Sequence, residues 1–159
     1  MQKQDWLFNK DNFTCSFRTV GILMRDGKIL VQRDKDGTEY ALPGGHVIIG
    51  ESSDKSLIRE YKEETGADVK IHRLAWVEEY FWDYNRTKRH SLAFYYLISL
   101  ENNADIPDTG EFFSQKDNCN IVFTWLSLKE LKNITIYPLF LKDKIGCISD
   151  GIEYFKVKY

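Results

Sequence analysis

The stretch GHVIIGESSDKSLIREYKEETGA, Gly45 to Ala67, decides how the rest of the chain is read. Ser52 or Ser53 can cap the first free amides of a helix, Asp54 suits its positive end, and Gly66 offers a left-handed stop. The spacing predicts a helix over residues 53 to 65. At about 100° per residue, Glu60, Glu63 and Glu64 share one sector, while Leu57, Ile58, Tyr61 and Thr65 share the adjoining one. Lys55, Arg59 and Lys62 occupy the remainder, with Arg59 one turn before Glu63 and placed to brace a carboxylate. Crowded carboxylates repel one another unless a cation neutralises them, and hard oxygen donors suit Mg²⁺ or Mn²⁺. Just upstream, Gly44 and Gly45 allow close backbone approach, so this loop can add a carbonyl ligand.

Outward from the helix, the pattern is mostly that of strands. Phe13 to Met24 alternates β-branched and aromatic residues, Asp26-Gly27 supplies a hairpin turn, and Lys28 to Arg33 resumes an apolar strand. Tyr40-Ala41-Leu42 forms a short apolar piece that Pro43-Gly44-Gly45 ends. Strand signals return at Val69 to Trp82 and Ser91 to Leu100, separated by the polar segment Asp83 to His90. Glu101 to Asn118 reads as a long loop and Ile121 to Leu126 as a strand. Ser127 with Glu130 makes a capping box, Pro138 can open a further helix, and Glu153 to Tyr159 closes the chain as a strand. This order predicts one α/β domain over residues 1–159, a sandwich with a mixed sheet.

Composition narrows the function. The 159 residues carry 22 Lys and Arg against 24 Asp and Glu, a net charge of −2, so no bulk positive field draws the chain to nucleic acid or anionic lipid. Any polyanion must be gripped locally. Cys15, Cys119 and Cys147 are an odd, widely spaced set that forms neither a disulfide framework nor a zinc site, and they are expected to be buried small hydrophobes. No apolar run spans a membrane and the first residues lack a secretory pattern, so a cytoplasmic location is expected.

The same stretch resembles the Nudix box: Gly, five residues, Glu, seven residues, Arg-Glu, an aliphatic, any residue, Glu-Glu, any residue, Gly, an aliphatic. All seven fixed positions match, at Gly45, Glu51, Arg59, Glu60, Glu63, Glu64 and Gly66. The chain departs at Tyr61, where the family usually has an aliphatic, and at the small Ala67; both touch packing. The flanking Tyr40-Ala-Leu-Pro-Gly-Gly and Trp125-Leu-Ser-Leu-Lys-Glu-Leu also look like the family pattern.

The resemblance implies a Nudix-type α/β/α sandwich and a hydrolase that cleaves nucleoside diphosphates linked to another moiety, with Mg²⁺ or Mn²⁺ as cofactor. Glu63 and Glu64 would be metal ligands with the Gly44 carbonyl, Glu60 a ligand or general base, and Arg59 and Glu51 would orient the site. Glu111 is the first candidate for a further acidic ligand and Glu79 the second. Substrate contacts are expected from Gly45, from Arg86 and Arg89 toward distal phosphates, and from Tyr84, whose position resembles that of dinucleoside polyphosphate hydrolases. The proline that often follows the box in ADP-ribose hydrolases is absent, the next being Pro107. The expected partner is a small nucleotide derivative, without nucleic acid or membrane, met by a monomer or homodimer. The alternative is a catalytically silent nucleotide-binding module of the same fold.

Overall fold

The computed structural model describes residues 3–116 and 120–159. It opens with strands β1 (Leu7–Lys10), β2 (Phe13–Arg25), β3 (Lys28–Asp34), β4 (Glu39–Ala41) and β5 (Gly44–His46), followed by helix α1 (Ser53–Thr65). The long hairpin β6 (Val69–Tyr84) and β7 (Thr87–Leu100) comes next. After it run β8 (Glu111–Phe113), β9 (Ile121–Ser127), α2 (Leu128–Leu131), β10 (Thr135–Tyr137), α3 (Leu141–Lys144) and β11 (Glu153–Lys158).

Strand β2 joins the two halves of a mixed sheet. Its residues Phe13 to Leu23 pair in parallel with β7, and its last two pair antiparallel with β3 across the Asp26-Gly27 turn, where both residues have positive φ. Strand β6 lies between β7, antiparallel, and β11, parallel. Beyond β3 lie β4 and β9. Helix α1 covers one face over Leu23, Leu30, Val69 and Phe123, while α2 and α3 cover the other over Ile22, Trp76 and Ile136. The result is the expected α/β/α sandwich. Burial of Leu57 and Tyr61 anchors α1, each worth roughly 1.5–3 kcal/mol. Tyr61 fits where an aliphatic is usual because the facing residue is Gly21, whose Cβ would lie 2.6 Å from the ring.

Several expectations need correction. Asp83 to His90 is not a separating loop: Asn85 and Arg86 both take left-handed conformations in a two-residue turn, so the polar residues around them stay in the β6–β7 ladder. Strand β4 ends at Ala41, just before Pro43-Gly44-Gly45 as expected, but Gly44 and Gly45 also belong to a further strand, β5, against β2. The long loop holds a 3₁₀ turn at Asn103–Asp105 and the short β8. Pro138 accepts the Leu141 N–H through its carbonyl and precedes α3 without opening it. Neither expected serine hydroxyl caps α1; Ser53 bonds Tyr96 instead, and the N-cap Ser52 makes no side-chain cap. Cys15 and Cys147 are exposed, not buried, and Cys119 lies outside the described residues.

Candidate active site

The box residues meet around Arg59. Its Nε donates to Glu51 Oε2 at 3.1 Å, one terminal nitrogen donates to Glu60 Oε1 at 2.7 Å and Glu63 Oε2 at 3.3 Å, and the other reaches the His46 carbonyl at 3.4 Å. A planar guanidinium with five donors can serve all four acceptors; an ammonium could not. Ser56 Oγ donates to Glu51 Oε2 at 2.8 Å and accepts the Ile48 N–H, which fixes the loop before the helix. Burial works to raise the Glu51 carboxyl, yet the Ser56 hydroxyl and Arg59 outweigh it and hold it below the usual value.

Glu60 is 4% exposed, on the sector of α1 that faces β5. Gly45 makes room for it, since a Cβ there would lie 2.2 Å from Glu60 Cδ. Sequence reasoning missed the residue that completes this site. Lys116, after β8, places Nζ 2.8 Å from Glu60 Oε2 and 3.0 Å from Glu63 Oε2. Partial burial works to lower the Lys116 ammonium, but Glu60 and then Glu63 override it and raise it above the usual lysine range. Partial burial likewise works to raise Glu63, and Lys116 followed by Arg59 holds it low. Among the described residues no group of three or more His, Cys, Asp or Glu side chains forms a ready metal cage. Glu60 and Glu63 instead already share two cations, the Arg59 guanidinium and the Lys116 ammonium.

A cleft of about 300 Å³ opens here, with Gly44, Gly45, Arg59, Glu60, Glu64 and Lys116 in its wall. Arg18 and Gln32 line both this cleft and a second cavity of about 400 Å³. The second cavity is aromatic: Tyr80 and Trp82 stack with ring centroids 5.1 Å apart, and Tyr95, Tyr137 and Tyr159 complete its wall. At its base Glu78, 2% exposed, accepts hydrogen bonds from Tyr95 at 2.6 Å and Tyr159 at 2.7 Å. Burial pushes the Glu78 carboxyl above the usual value despite both bonds. Gln32 Oε1 is buried without a partner among the described residues, an acceptor waiting for a donor. His46, beside the cleft, is pushed down by burial and then by Arg18, which favours the neutral ring.

The remaining predicted residues lie elsewhere. Glu111 stands on β8 in an ion pair with Arg33 at 2.8 Å and does not line the cleft. Glu79 bonds His90 at 2.8 Å and Tyr154, on the sheet face opposite Glu78. Tyr84, Arg86 and Arg89 sit at the β6–β7 hairpin tip, where Arg89 lies over the rings of Trp82 and Tyr84. Arg89 is level with Thr14 of β2, whereas Gly45 is level with Thr19. Five residues of strand, about 17 Å, separate the two levels. Arg18 and Glu78 did carry a signal: each is a charge at a position whose alternation places it with core residues, Val20 and Ile22 for one, Trp76 and Tyr80 for the other. Lys116, in a loop, carried none.

A NUDIX domain model matches residues 16–143. The chain belongs to the Nudix family. This Nudix chain is 42% identical over 57 residues to a protein named ADP-ribose pyrophosphatase from Methanocaldococcus jannaschii, a match that spans 34% of each chain. The matched part is thus about a third of that relative. Among solved structures, the Nudix chain resembles the MutT protein from Bacillus halodurans, with TM-score 0.71 and 19% identity over 91% of this chain and 90% of that one. It also resembles an ADP-ribose pyrophosphatase from Streptococcus suis, with TM-score 0.57 and 20% identity over 89% and 98%. At these identities the two structures speak for the fold.

Proposed function

We propose that the chain hydrolyses the diphosphate linkage of a nucleoside diphosphate derivative, with Mg²⁺ or Mn²⁺ held by Glu60, Glu63, Glu64 and the Gly44 carbonyl. The observation that carries this reading is Lys116: Glu60 and Glu63 both direct a carboxylate oxygen at its single cationic nitrogen, at 2.8 and 3.0 Å. Two carboxylates that converge on one cation, beside a carbonyl, are a hard-oxygen donor set that fits a divalent ion. When bound, the ion offsets the charge of the diphosphate and lends the acidity that makes water a nucleophile at neutral pH.

The chain's own residues do the rest. Arg59 holds Glu51, Glu60 and Glu63 in register, so that the carboxylates need not reorganise when substrate arrives. Arg18 stands where the cleft meets the aromatic cavity and makes no ion pair among the described residues, which suits it to grip the diphosphate. The Tyr80–Trp82 stack then offers a wall for a nucleobase, and Gln32 Oε1 an acceptor for a sugar or base donor. Glu60 serves as ligand or as the base once Lys116 leaves Oε2. A nucleoside diphosphate sugar of the ADP-ribose kind is the first substrate to test, supported by the name of the M. jannaschii relative.

Lys116 also motivates a second reading, a nucleotide-binding module without turnover, if its ammonium never yields to a metal. Both are tested by incubating wild type and Glu63→Gln with Mg²⁺ or Mn²⁺ and ADP-ribose, nucleotide sugars, dinucleoside polyphosphates and nucleoside triphosphates. Release of two phosphorylated products by wild type, lost in Glu63→Gln, supports hydrolysis. A ligand bound tightly and recovered intact from wild type supports the silent module.

A further inference from the structure

A third hollow lies on the same face of the long strands as α1, beyond the helix toward the β6–β7 hairpin tip: Cys15 of β2 is in step with Gly21, against which Tyr61 packs, and with Leu23. Cross-strand registers place Phe8, Cys15, His90 and Phe81 in one row and Lys10, Phe13 and Lys88 in the next, all on one face. Together they wall a hollow of about 560 Å³, within the roughly 300–1,000 Å³ of small-molecule sites. It is separate from the catalytic cleft by the about 17 Å of β2 already noted.

Its chemistry is one-sided. Lys10, Lys88 and Lys158 line it, and none of them makes an ion pair among the described residues. Asp83 is the single carboxylate in the described wall. On a chain of net charge −2, three unpaired cations around one hollow are a local excess that an anion would relieve. The aromatic surface is equally unspent: Phe13 is 61% and Phe8 48% exposed, and Phe81 faces the His90 ring with centroids 4.3 Å apart. Clustered cations call for several negative charges on one ligand, and flat rings beside them call for a planar face.

We propose that this hollow binds a nucleotide, its phosphates against Lys10, Lys88 and Lys158 and its base against Phe13 and the Phe81–His90 pair. The inference stands independently of the proposed hydrolysis, because it shares no residue with the acidic helix. Cys15 provides a local reporter, since it is exposed in the wall, while Cys147 is exposed outside it.

The test is the rate of iodoacetamide labelling at each cysteine, read by peptide mass spectrometry, with ATP as probe and EDTA present to silence turnover. At ten times its dissociation constant ATP should slow Cys15 labelling about tenfold and leave Cys147 unchanged. Adenosine should give no protection. The doubly substituted Lys88→Ala, Lys158→Ala protein, altered only at exposed positions, should need at least about tenfold more ATP, the loss of charge-assisted contacts. The proposal is overturned if millimolar ATP leaves Cys15 labelling unchanged, if both cysteines slow equally, or if the double variant is protected as well as wild type. Protection by a single-stranded oligonucleotide but not by ATP would overturn it too, making the face a nucleic-acid surface.

Discussion

Replacing Gly45 with alanine should damage both stability and catalysis, and the structure sets the size of each effect. The new Cβ would lie 2.2 Å from Glu60 Cδ and 2.5 Å from Oε2, against carbon contacts of about 3.5–4.0 Å, so something must move by more than about 1 Å. Glu60 could swing away, but that breaks its contacts to Arg59 at 2.7 Å and Lys116 at 2.8 Å and strands a buried carboxylate, a cost of about 3–5 kcal/mol. Alternatively β5 could shift from β2, an overpacking cost of about 1–3 kcal/mol. The cheaper relaxation wins, so a loss of about 1–3 kcal/mol is expected, which for a chain of this size lowers Tm by roughly 2–12 °C. Even the cheaper route displaces the Gly44 carbonyl and the Glu60 carboxylate relative to each other, and a shift of about 1 Å costs about 100-fold in turnover. Thermal unfolding by circular dichroism and turnover on the same sample would measure both. Gly146→Ala is the control, because a Cβ there meets nothing within 4 Å. A Gly45→Ala protein with the Tm and turnover of the control would refute the packing argument.

Other expectations follow from the same contacts. Lys116→Met removes two partly exposed ion pairs, each worth up to about 1 kcal/mol, so Mn²⁺ should bind about ten- to thirtyfold more tightly by calorimetry; unchanged affinity would mean that the lysine does not compete with the metal. Arg59→Ala leaves buried Glu60 with Lys116 as its remaining cation and should cost about 2–3 kcal/mol in urea unfolding, with Arg59→Lys restoring only part, since one ammonium cannot serve four acceptors. Glu78 has a raised folded-state pKa, so its contribution to stability is complete below 4.5, the ordinary value, and is lost as pH rises through the raised one. Glu78→Gln should therefore gain stability relative to wild type as pH rises from 4.5 to the raised value; a difference between the two proteins that is constant over that window would contradict the sign.

The residues that were legible in the sequence and those that were not differ in a physical way. Helix α1 and its acidic sector follow from local rules, a left-handed glycine stop at Gly66 and three-and-four spacing of glutamates, and both held. The β2–β3 hairpin followed from Asp26-Gly27 for the same reason. Strand β5 was hidden because two glycines read as a stop, whereas here they permit close pairing with β2. Glu111 was favoured for lying in the loop after β7, but a cation across the sheet, Arg33, claims its carboxylate. Lys116, from the same loop, reaches Glu60 across 56 residues of chain, a long-range contact that no local pattern encodes. Arg18 and Glu78 were readable in principle as charges in step with core residues. The missing proline pointed away from ADP-ribose hydrolases, while the matched relative bears that name.

The most direct test of the central claim is hydrolysis of ADP-ribose in H₂¹⁸O with Mg²⁺, comparing wild type with Glu63→Gln by mass spectrometry of the products. The account predicts AMP and ribose 5-phosphate from the wild type, one of them carrying a single ¹⁸O, and a rate at least about 100-fold lower for Glu63→Gln. Equal rates in the two proteins would contradict the role given to the acidic face of α1.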